Sequence, residues 1–203
     1  MADTKENILI TALRLFAQDG YEAVSVSKIA GELGMTKGAL YKHYKNKRDI
    51  FDSIFERICQ LDIERFKKAG VPEKDYFSNT SVESVKAYME SQFYYWTEDE
   101  IACNFRRMLT LEQYRSPEMT NLYQKVLASG PANFIEDLFR IMMKQGTWRK
   151  GSPKQMAVEF YAPFYLLLSI SDAASGKEEK EEITNLFKAH IECFVEKYAA
   201  EKL

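Results

Sequence analysis

The sequence predicts an all-α protein of about nine helices, with a three-helix head at the N-terminus and a larger helical domain after it. Apolar residues recur every three to four positions along most of the 203 residues, which is the spacing of a buried helix face. Glycine and Ser-Pro steps separate these stretches, for example at Gly20, Gly146 and Ser152-Pro153. No segment alternates apolar and polar residues over a useful length, so no strand is predicted.

The head begins with a helix predicted from about Thr4 to Gln18, and Gly20 supplies the turn after it. Ser25 is the predicted N-cap of helix two, because its hydroxyl can accept a hydrogen bond from an N–H group of the first turn. Gly34 ends that helix, since glycine adopts positive φ without strain, and Thr36 caps helix three. Two short helices joined by a glycine turn form a helix-turn-helix, whose second helix lies in the major groove of DNA.

Helix four is predicted from about Asn46 to Lys68, and its length joins the head to the rest of the chain. Residues 70–80 are mostly polar and contain glycine and proline, and this composition predicts a linker. Beyond the linker, capping residues and helix breakers predict helices over about 81–96, 99–113, 117–129, 131–145, 153–174 and 180–200.

Composition restricts the class of protein. Hydrophobic residues are 46% and charged residues 29% of the chain, which is enough apolar surface for a packed core. The cysteines, Cys59, Cys103 and Cys193, are far apart, which predicts reduced thiols in the cytoplasm and neither a disulfide framework nor a zinc site. No apolar run is long enough to span a bilayer or to act as a signal peptide, so no membrane partner is expected.

Basic residues are concentrated in and around the helix-turn-helix. From Lys28 to Arg48 there are six lysines and arginines against Glu32 alone, a local net charge of +5, whereas the whole chain carries −2. A basic cluster on a slightly acidic protein is what contacts with DNA phosphates require. On charge alone, a solvated basic turn explains the cluster equally well.

The stretch from Gly20 to Lys47 resembles the DNA-binding domain of the TetR family of bacterial transcription regulators. The family pattern has a Gly-Tyr step after helix one, an Ile-Ala pair in helix two, a glycine turn and a Lys-Gly-x-Leu-Tyr helix three. The positions that match in order and spacing are Gly20-Tyr21, Ser25, Ile29-Ala30, Gly34, Lys37-Gly38, Leu40-Tyr41, His43-Tyr44, Lys45 and Lys47. Val24 stands where threonine is common and Tyr44 where phenylalanine is usual.

The resemblance implies that residues 1–47 bind double-stranded DNA, with the helix from Lys37 to about His43 in the major groove. Gly38 and Ala39 would let the backbone approach the DNA, and Lys37 would reach a base edge or a phosphate. Tyr41 and Lys47 are among the side chains expected on phosphates. The predicted DNA-binding residues are Ser25, Thr36, Lys37, Gly38, Ala39, Tyr41, Lys42, His43 and Lys47.

Residues 48–203 are predicted to form an effector-binding and dimerisation domain. Aromatic and methionine side chains are frequent between residues 85 and 165, and such side chains suit a site for an apolar or amphipathic small molecule. Position by position, packing in a core explains them as well. TetR-family proteins couple a C-terminal ligand pocket to DNA release, so the resemblance favours a pocket. Its predicted lining residues are Phe93, Trp96, Phe105, Met108, Tyr123, Phe134 and Phe164.

The last two helices are predicted to form a homodimer interface. From residue 180 the final helix carries an apolar stripe that is wide enough to be buried on two sides. In TetR-like proteins the final two helices pair with their copies in a four-helix bundle, and the resemblance implies the same arrangement and a palindromic operator. The predicted interface residues are Ile183, Phe187, His190, Ile191 and Phe194.

No pattern of catalytic or cofactor-binding residues is found in the sequence. The two histidines, His43 and His190, are far apart and have no metal-ligand spacing around them. The sequence therefore predicts a homodimeric, ligand-responsive repressor rather than an enzyme, with no cofactor and no metal. The alternatives are a TetR-like architectural or division-linked DNA-binding protein without an effector, and an all-α enzyme or carrier whose head motif is coincidental.

Overall fold

The computed structural model describes residues 4–68 and 81–200, without the side chains of residues 62, 63 and 65–68. Within these residues the chain forms ten helices and no strand, apart from one isolated antiparallel bridge between Trp148 and Ala199. The all-α fold class predicted from the sequence is confirmed. The linker predicted at residues 70–80 lies outside the described residues.

Most helix boundaries agree with the sequence predictions to within about two residues. The helices are α1 Thr4–Asp19, α2 Val26–Glu32, α3 Lys37–Leu40, α4 Lys47–Lys68, α5 Val82–Glu98, α6 Glu100–Glu112, α7 Pro117–Leu127, α8 Ser129–Lys144, α9 Pro153–Ala173 and α10 Lys177–Tyr198.

Three helices begin or end elsewhere than predicted, and one of them, α10, begins at Lys177 instead of residue 180. Helix α8 begins at Ser129, so Pro131 lies inside its first turn instead of breaking the chain before it. Proline is tolerated there because N–H groups of the first turn have no acceptor within the helix. Helix α3 ends at Leu40 and not near His43, and the following residues continue as a tighter turn, with the His43 N–H donating to the Leu40 carbonyl at 2.9 Å.

The chain divides into two compact units. The first comprises Met1–Val71 with Glu100–Leu122, and the second Pro72–Asp99 with Tyr123–Leu203. The head helices α1 to α3 therefore belong to the same unit as α4 and α6, whereas α5, α8, α9 and α10 form the other. The functional division predicted after residue 47 does not follow this boundary and stays a prediction.

In the first unit, α1 is the central helix and packs against α2, α4 and α6. The apolar stripe expected on α1 is buried, with Ile8, Ala12 and Phe16 inaccessible to solvent. Leu40 of α3 and Ile50 of α4 are buried in the same unit. Helices as short as α2 and α3 are not stable alone, so this core is what fixes them in place.

The second unit is built around aromatic rings from α5, α8, α9 and α10. Phe139 on α8 is 0% exposed, and its ring centroid lies 5.2 Å from that of Trp148, 5.4 Å from Phe160 and 5.5 Å from Phe194. The indole N–H of Trp148 points to the sulfur of Met142 at 2.8 Å. Aromatic pairs at such distances add about 0.5–1.5 kcal/mol each to the gain from burial.

Among the described residues, no helix combines the length and the apolar character that crossing a membrane requires. In the same part of the chain, no three His, Cys, Asp or Glu side chains are grouped so as to hold a metal ion.

Candidate functional site

The helix-turn-helix is built from two capped helices and a glycine turn, as predicted. The Ser25 hydroxyl accepts a hydrogen bond from the Lys28 N–H at 3.1 Å, and the Thr36 hydroxyl accepts one from the Ala39 N–H at 3.1 Å. Gly34, between the helices, has a φ of +63°. Ser25 and Thr36 are exposed, and a capping hydroxyl still has its O–H to donate to a phosphate oxygen.

One face of α3 is buried and the opposite face is open to solvent. Leu40 and Tyr44 point into the unit, and the Tyr44 hydroxyl donates to the Lys5 carbonyl at 3.1 Å. Phenylalanine is usual at this position and has no hydroxyl group. The bond to the Lys5 carbonyl provides the hydrogen-bond partner that the buried hydroxyl of Tyr44 requires. The exposed residues on and beside α3 are Thr36, Lys37, Gly38, Tyr41, Lys42 and His43, and Ala39 is half-buried among them.

The basic cluster is partly neutralised by neighbouring carboxylates. Lys28 pairs with Asp19 at 2.8 Å, and Arg48 pairs with Asp52 at 2.7 Å and with Glu118. The Arg48 guanidinium holds the pKa of the Glu118 carboxyl below its ordinary value. Three further lysines of the cluster, Lys37, Lys42 and Lys45, are exposed. None of them makes an ion pair within residues 4–68 and 81–200.

The Lys47 side chain is hydrogen-bonded within its own chain. Its ammonium donates to the carbonyls of Tyr21 at 2.9 Å and Glu22 at 3.4 Å, and it lies 4.2 Å from the centroid of the Tyr21 ring. The side chain is only 22% exposed. The phosphate contact predicted for Lys47 stays untested, but the contacts described here give this residue a role in holding the turn between α1 and α2.

The predicted effector-binding residues are divided between the two units. Phe105 and Met108 are on α6 in the first unit and are 0% exposed. The other five belong to the second unit. Of these, Phe93 and Phe164 pack with Phe187 at ring distances of 4.5–5.7 Å and fill the core. For these two residues the core-packing alternative describes what the structure shows.

Four tyrosines and a phenylalanine form a second aromatic group, here called the tyrosine cluster: Tyr88, Tyr123, Phe134, Tyr161 and Tyr165. The hydroxyls of Tyr123 and Tyr165 are hydrogen-bonded to each other, and the Tyr161 hydroxyl donates to the Leu127 carbonyl at 3.0 Å. Burial, reinforced by the neighbouring tyrosines, raises the pKa of Tyr161 well above its ordinary value. Tyr165 is 44% exposed, so the cluster reaches the surface.

Sequence reasoning included Tyr123 and Phe134 in the effector set but not Tyr161 and Tyr165. The signal available for these two was their spacing of four residues, which places both tyrosines on one face of α9.

Four of the five predicted interface residues on α10 pack inside their own chain, which argues against a dimer contact through these four. Ile183, Phe187, Ile191 and Phe194 are buried against α5, α8 and α9, and Phe187 is 1% exposed. The Nε2 atom of His190 lies 3.1 Å from the Phe160 carbonyl. The four apolar side chains are therefore covered within their own chain, whereas His190 is half-buried.

A different set of apolar side chains is exposed on α9 and α10, here called the exposed stripe. On α9 Leu166 is 58% exposed, and on α10 Leu186 is 59% exposed. Its exposed members, spaced three or four residues apart on each helix, are Val158, Ala162, Leu166 and Ile170 on α9, and Leu186, Ala189 and Cys193 on α10.

Comparison with known proteins identifies the family that the N-terminal head resembles. Residues 8–54 match the family model of the bacterial regulatory proteins of the tetR family, and this range includes the whole helix-turn-helix. Residues 8–54 therefore form a DNA-binding domain of the tetR type. The HTH-type transcriptional regulator AcrR of Shigella flexneri is 42% identical over 66 residues, which cover 30% of this chain and 31% of that protein. The HTH-type transcriptional regulator SAUSA300_2515 of Staphylococcus aureus is 37% identical over 94 residues, which cover 45% of this chain and 49% of that protein.

The chain thus spans between about a third and a half of the length of these curated relatives. The relatives are transcription regulators of the helix-turn-helix type.

Two solved structures are similar to this chain over nearly its whole length. A transcriptional regulator from Saccharomonospora viridis in complex with choline has a TM-score of 0.71 and 21% identity, with 100% of each chain covered. The SmeT–triclosan complex has a TM-score of 0.69 and 21% identity, with 98% of this chain and 92% of SmeT covered. SmeT is the repressor of the Stenotrophomonas maltophilia multidrug efflux pump SmeDEF. At this level of identity the likeness concerns the fold alone.

Proposed function

We propose that this TetR-family chain regulates transcription as a homodimeric repressor, which binds a palindromic operator and leaves it when a small apolar or amphipathic effector binds. The observation that supports DNA binding most directly is the open face of α3. Lys37 and Lys42 are exposed there without a competing carboxylate among the described residues, and Tyr41 and His43 add hydrogen-bonding groups.

Each exposed group on α3 or directly after it has a defined role in this proposal. Lys37 stands in the first turn of α3, where recognition helices contact base edges, and its ammonium can donate to guanine O6 or N7. Its Nζ atom lies 5.7 Å from the centroid of the Tyr41 ring, a cation–π distance that restrains both side chains. Tyr41 and Lys42 bind phosphates, which orient the head but carry no sequence information.

Replacing the two exposed lysines separately tests these tasks. An operator is first selected from random DNA with the purified protein, and affinities are then measured on operator and scrambled DNA across a range of salt concentrations. Lys37→Ala is expected to relax the preference at one operator position by about 1–3 kcal/mol. Lys42→Ala is expected to weaken binding to all sequences alike and to lower the salt slope by about one unit.

Lys188→Ala is the matched control, because Lys188 is an exposed lysine on α10, far along the chain from the head. Operator affinity should be unchanged in this variant. Unchanged binding in both the Lys37 and Lys42 variants would contradict the assignment of α3 as the recognition helix. Failure of the unaltered protein to enrich any DNA at low salt would contradict the proposed function and favour the enzyme or carrier alternative.

We propose the exposed stripe on α9 and α10 as the dimer interface, in place of the buried residues first predicted. Two adjacent helices that each expose apolar side chains can form a four-helix bundle with a second copy, and burial of those side chains favours association. Since two heads on one scaffold bind one palindrome, dimerisation raises operator affinity without any new DNA contact.

The tyrosine cluster is the proposed effector site. Its ring faces suit apolar or cationic groups, and its hydroxyls can hydrogen-bond to a polar end of a ligand. The neighbours of similar fold give chemical examples, since one is crystallised with choline, a quaternary ammonium compound, and the other with triclosan, a phenol. We therefore expect a small amphipathic effector with an aromatic or cationic part.

The effector proposal is tested by measuring operator affinity with and without compounds that raise the melting temperature of the protein. A compound that binds the cluster and prefers the state that does not bind DNA should lower operator affinity about 5–150-fold. Tyr165→Ala should weaken binding of that compound, whereas Tyr94→Ala, at a 68% exposed position on α5, should not. If chemically diverse binders all leave operator affinity unchanged, the architectural alternative is favoured.

A further inference from the structure

One buried carboxylate has no role in the proposed DNA or effector contacts. Glu112, the last residue of α6, is 3% exposed, and its Oε1 atom accepts a hydrogen bond from the Tyr21 N–H at 2.9 Å. A buried charge is costly unless it is hydrogen-bonded, and a backbone N–H bound to a carboxylate is among the stronger hydrogen bonds in proteins. The bond joins α6 to the turn between α1 and α2. Its two residues, Tyr21 and Glu112, are 91 positions apart in the chain.

Tyr21 is held on several sides at once. While Glu112 accepts from its N–H, the Lys47 ammonium donates to its carbonyl at 2.9 Å. Its ring lies 5.2 Å from the ring of Phe16 on α1 and 5.2 Å from that of Phe51 on α4. The backbone of this turn is therefore fixed between a negative group on α6 and a positive group on α4.

Gly20 allows the carboxylate to reach the turn. Its φ is +81°, and a Cβ atom built on it would lie 3.0 Å from the Oε1 atom of Glu112. A side chain at this position would crowd the carboxylate, and the positive φ is strained for other residue types. Because Ser25, the cap of α2, follows only a few residues later, the position of this turn decides where α2 begins and so where α3 points.

General stability does not explain a carboxylate at this position. A buried charged group is often no better for stability than an apolar side chain of similar size. A negative charge in the last turn of a helix is also unfavourable with respect to the helix dipole. What the carboxylate adds is a directional bond to one particular N–H group.

We propose that Glu112 is a positioning residue for operator binding, whose bond to the Tyr21 N–H fixes the helix-turn-helix in the orientation that reads the operator. This inference rests on the proposed DNA-binding function. Loss of the bond leaves α2 and α3 folded on α1, but removes one of the contacts that set their orientation. Sequence-specific contacts then weaken, while contacts of the exposed lysines with any phosphate backbone persist.

The test compares four variants of the full-length protein on the selected operator and on scrambled DNA. Glu112→Gln keeps an oxygen that accepts from the Tyr21 N–H, and its operator affinity should stay within about twofold of the unaltered protein. Glu112→Met removes the acceptor at similar length, and Glu112→Asp withdraws it by one methylene. Both should lose about tenfold or more in operator affinity, which corresponds to about 1.4 kcal/mol, with unchanged affinity for scrambled DNA. Glu100→Met, at an exposed glutamate on the same helix, is the control.

Amide hydrogen exchange at Tyr21 provides a readout that is independent of DNA. Protection should be retained in Glu112→Gln and lost in Glu112→Met and Glu112→Asp. Wild-type operator affinity in a folded Glu112→Met or Glu112→Asp protein would overturn the inference, as would equal losses in Glu112→Gln and Glu112→Met. If Glu112→Met fails to fold, Glu112→Asp decides the question. Absence of any selected operator for the unaltered protein would instead count against the proposed function.

Discussion

Replacing Phe139 with alanine is expected to lower the free energy of unfolding of the second unit by about 3–5 kcal/mol. The ring is inaccessible to solvent and contacts Trp148, Phe160 and Phe194, so its removal leaves a cavity that three large neighbours cannot easily fill. Both tryptophans of the chain, Trp96 and Trp148, belong to this unit. Urea denaturation followed by tryptophan fluorescence therefore reports on the unfolding of this unit.

Tyr94→Ala is the control for the Phe139 prediction. Tyr94 is also an aromatic residue on a helix of the second unit, but it is 68% exposed, and its replacement should change the stability by no more than about 0.5 kcal/mol. A loss of less than about 1 kcal/mol in Phe139→Ala would show that the aromatic group around this ring does not form the core of the unit.

Glutamates at Leu166 and Leu186 together are expected to convert the dimer into folded monomers and to lower operator affinity about 10²–10⁴-fold. Both residues are more than half exposed, so the charges are solvated in the single chain and its fold is retained. In a dimer they would be buried in an apolar interface, which is unfavourable for an unpaired charge. Sedimentation at micromolar concentration gives the oligomeric state, and titration of the operator gives the affinity.

Tyr94→Glu introduces the same charge at an exposed position of α5 outside the stripe and should leave the protein dimeric. The heads carry no substitution in the double variant, so its affinity for a single half-site should equal that of the unaltered protein. A wild-type protein that sediments as a monomer would contradict the dimer proposal. A double variant that remains dimeric would show that another surface forms the interface.

Features that depend on near neighbours in the chain were predictable from the sequence. Ser25 and Thr36 cap the expected helices, and Gly34 adopts the expected positive φ, because caps and turns depend on residues only a few positions apart. The all-α class followed from helical periodicity in the same way. The residues of α3 proposed to contact DNA could be selected because one short motif defines both the buried face and the exposed one.

Features that depend on which surfaces meet were decided only by the tertiary structure. Helix α10 carries apolar residues on two faces, and the sequence alone does not tell which face packs inside the chain. The structure buries Phe187 and exposes Leu186, so the choice between neighbouring residues was made by the contacts of α5, α8 and α9. The same ambiguity applied to Phe93 and Phe164, since the sequence does not distinguish an aromatic residue in a core from one in a pocket.

Lys47 and Glu112 show the same limit for charged residues. The sequence places Lys47 in a basic cluster and Glu112 at the end of a helix, and nothing near either residue in the chain indicates a common partner. Both bind the backbone of Tyr21 once the chain has folded, one at its carbonyl and the other at its N–H. Periodicity and capping act over a few residues and so determined the helices of this protein, whereas the partners of its buried charges are many residues away and were determined by the packing of those helices.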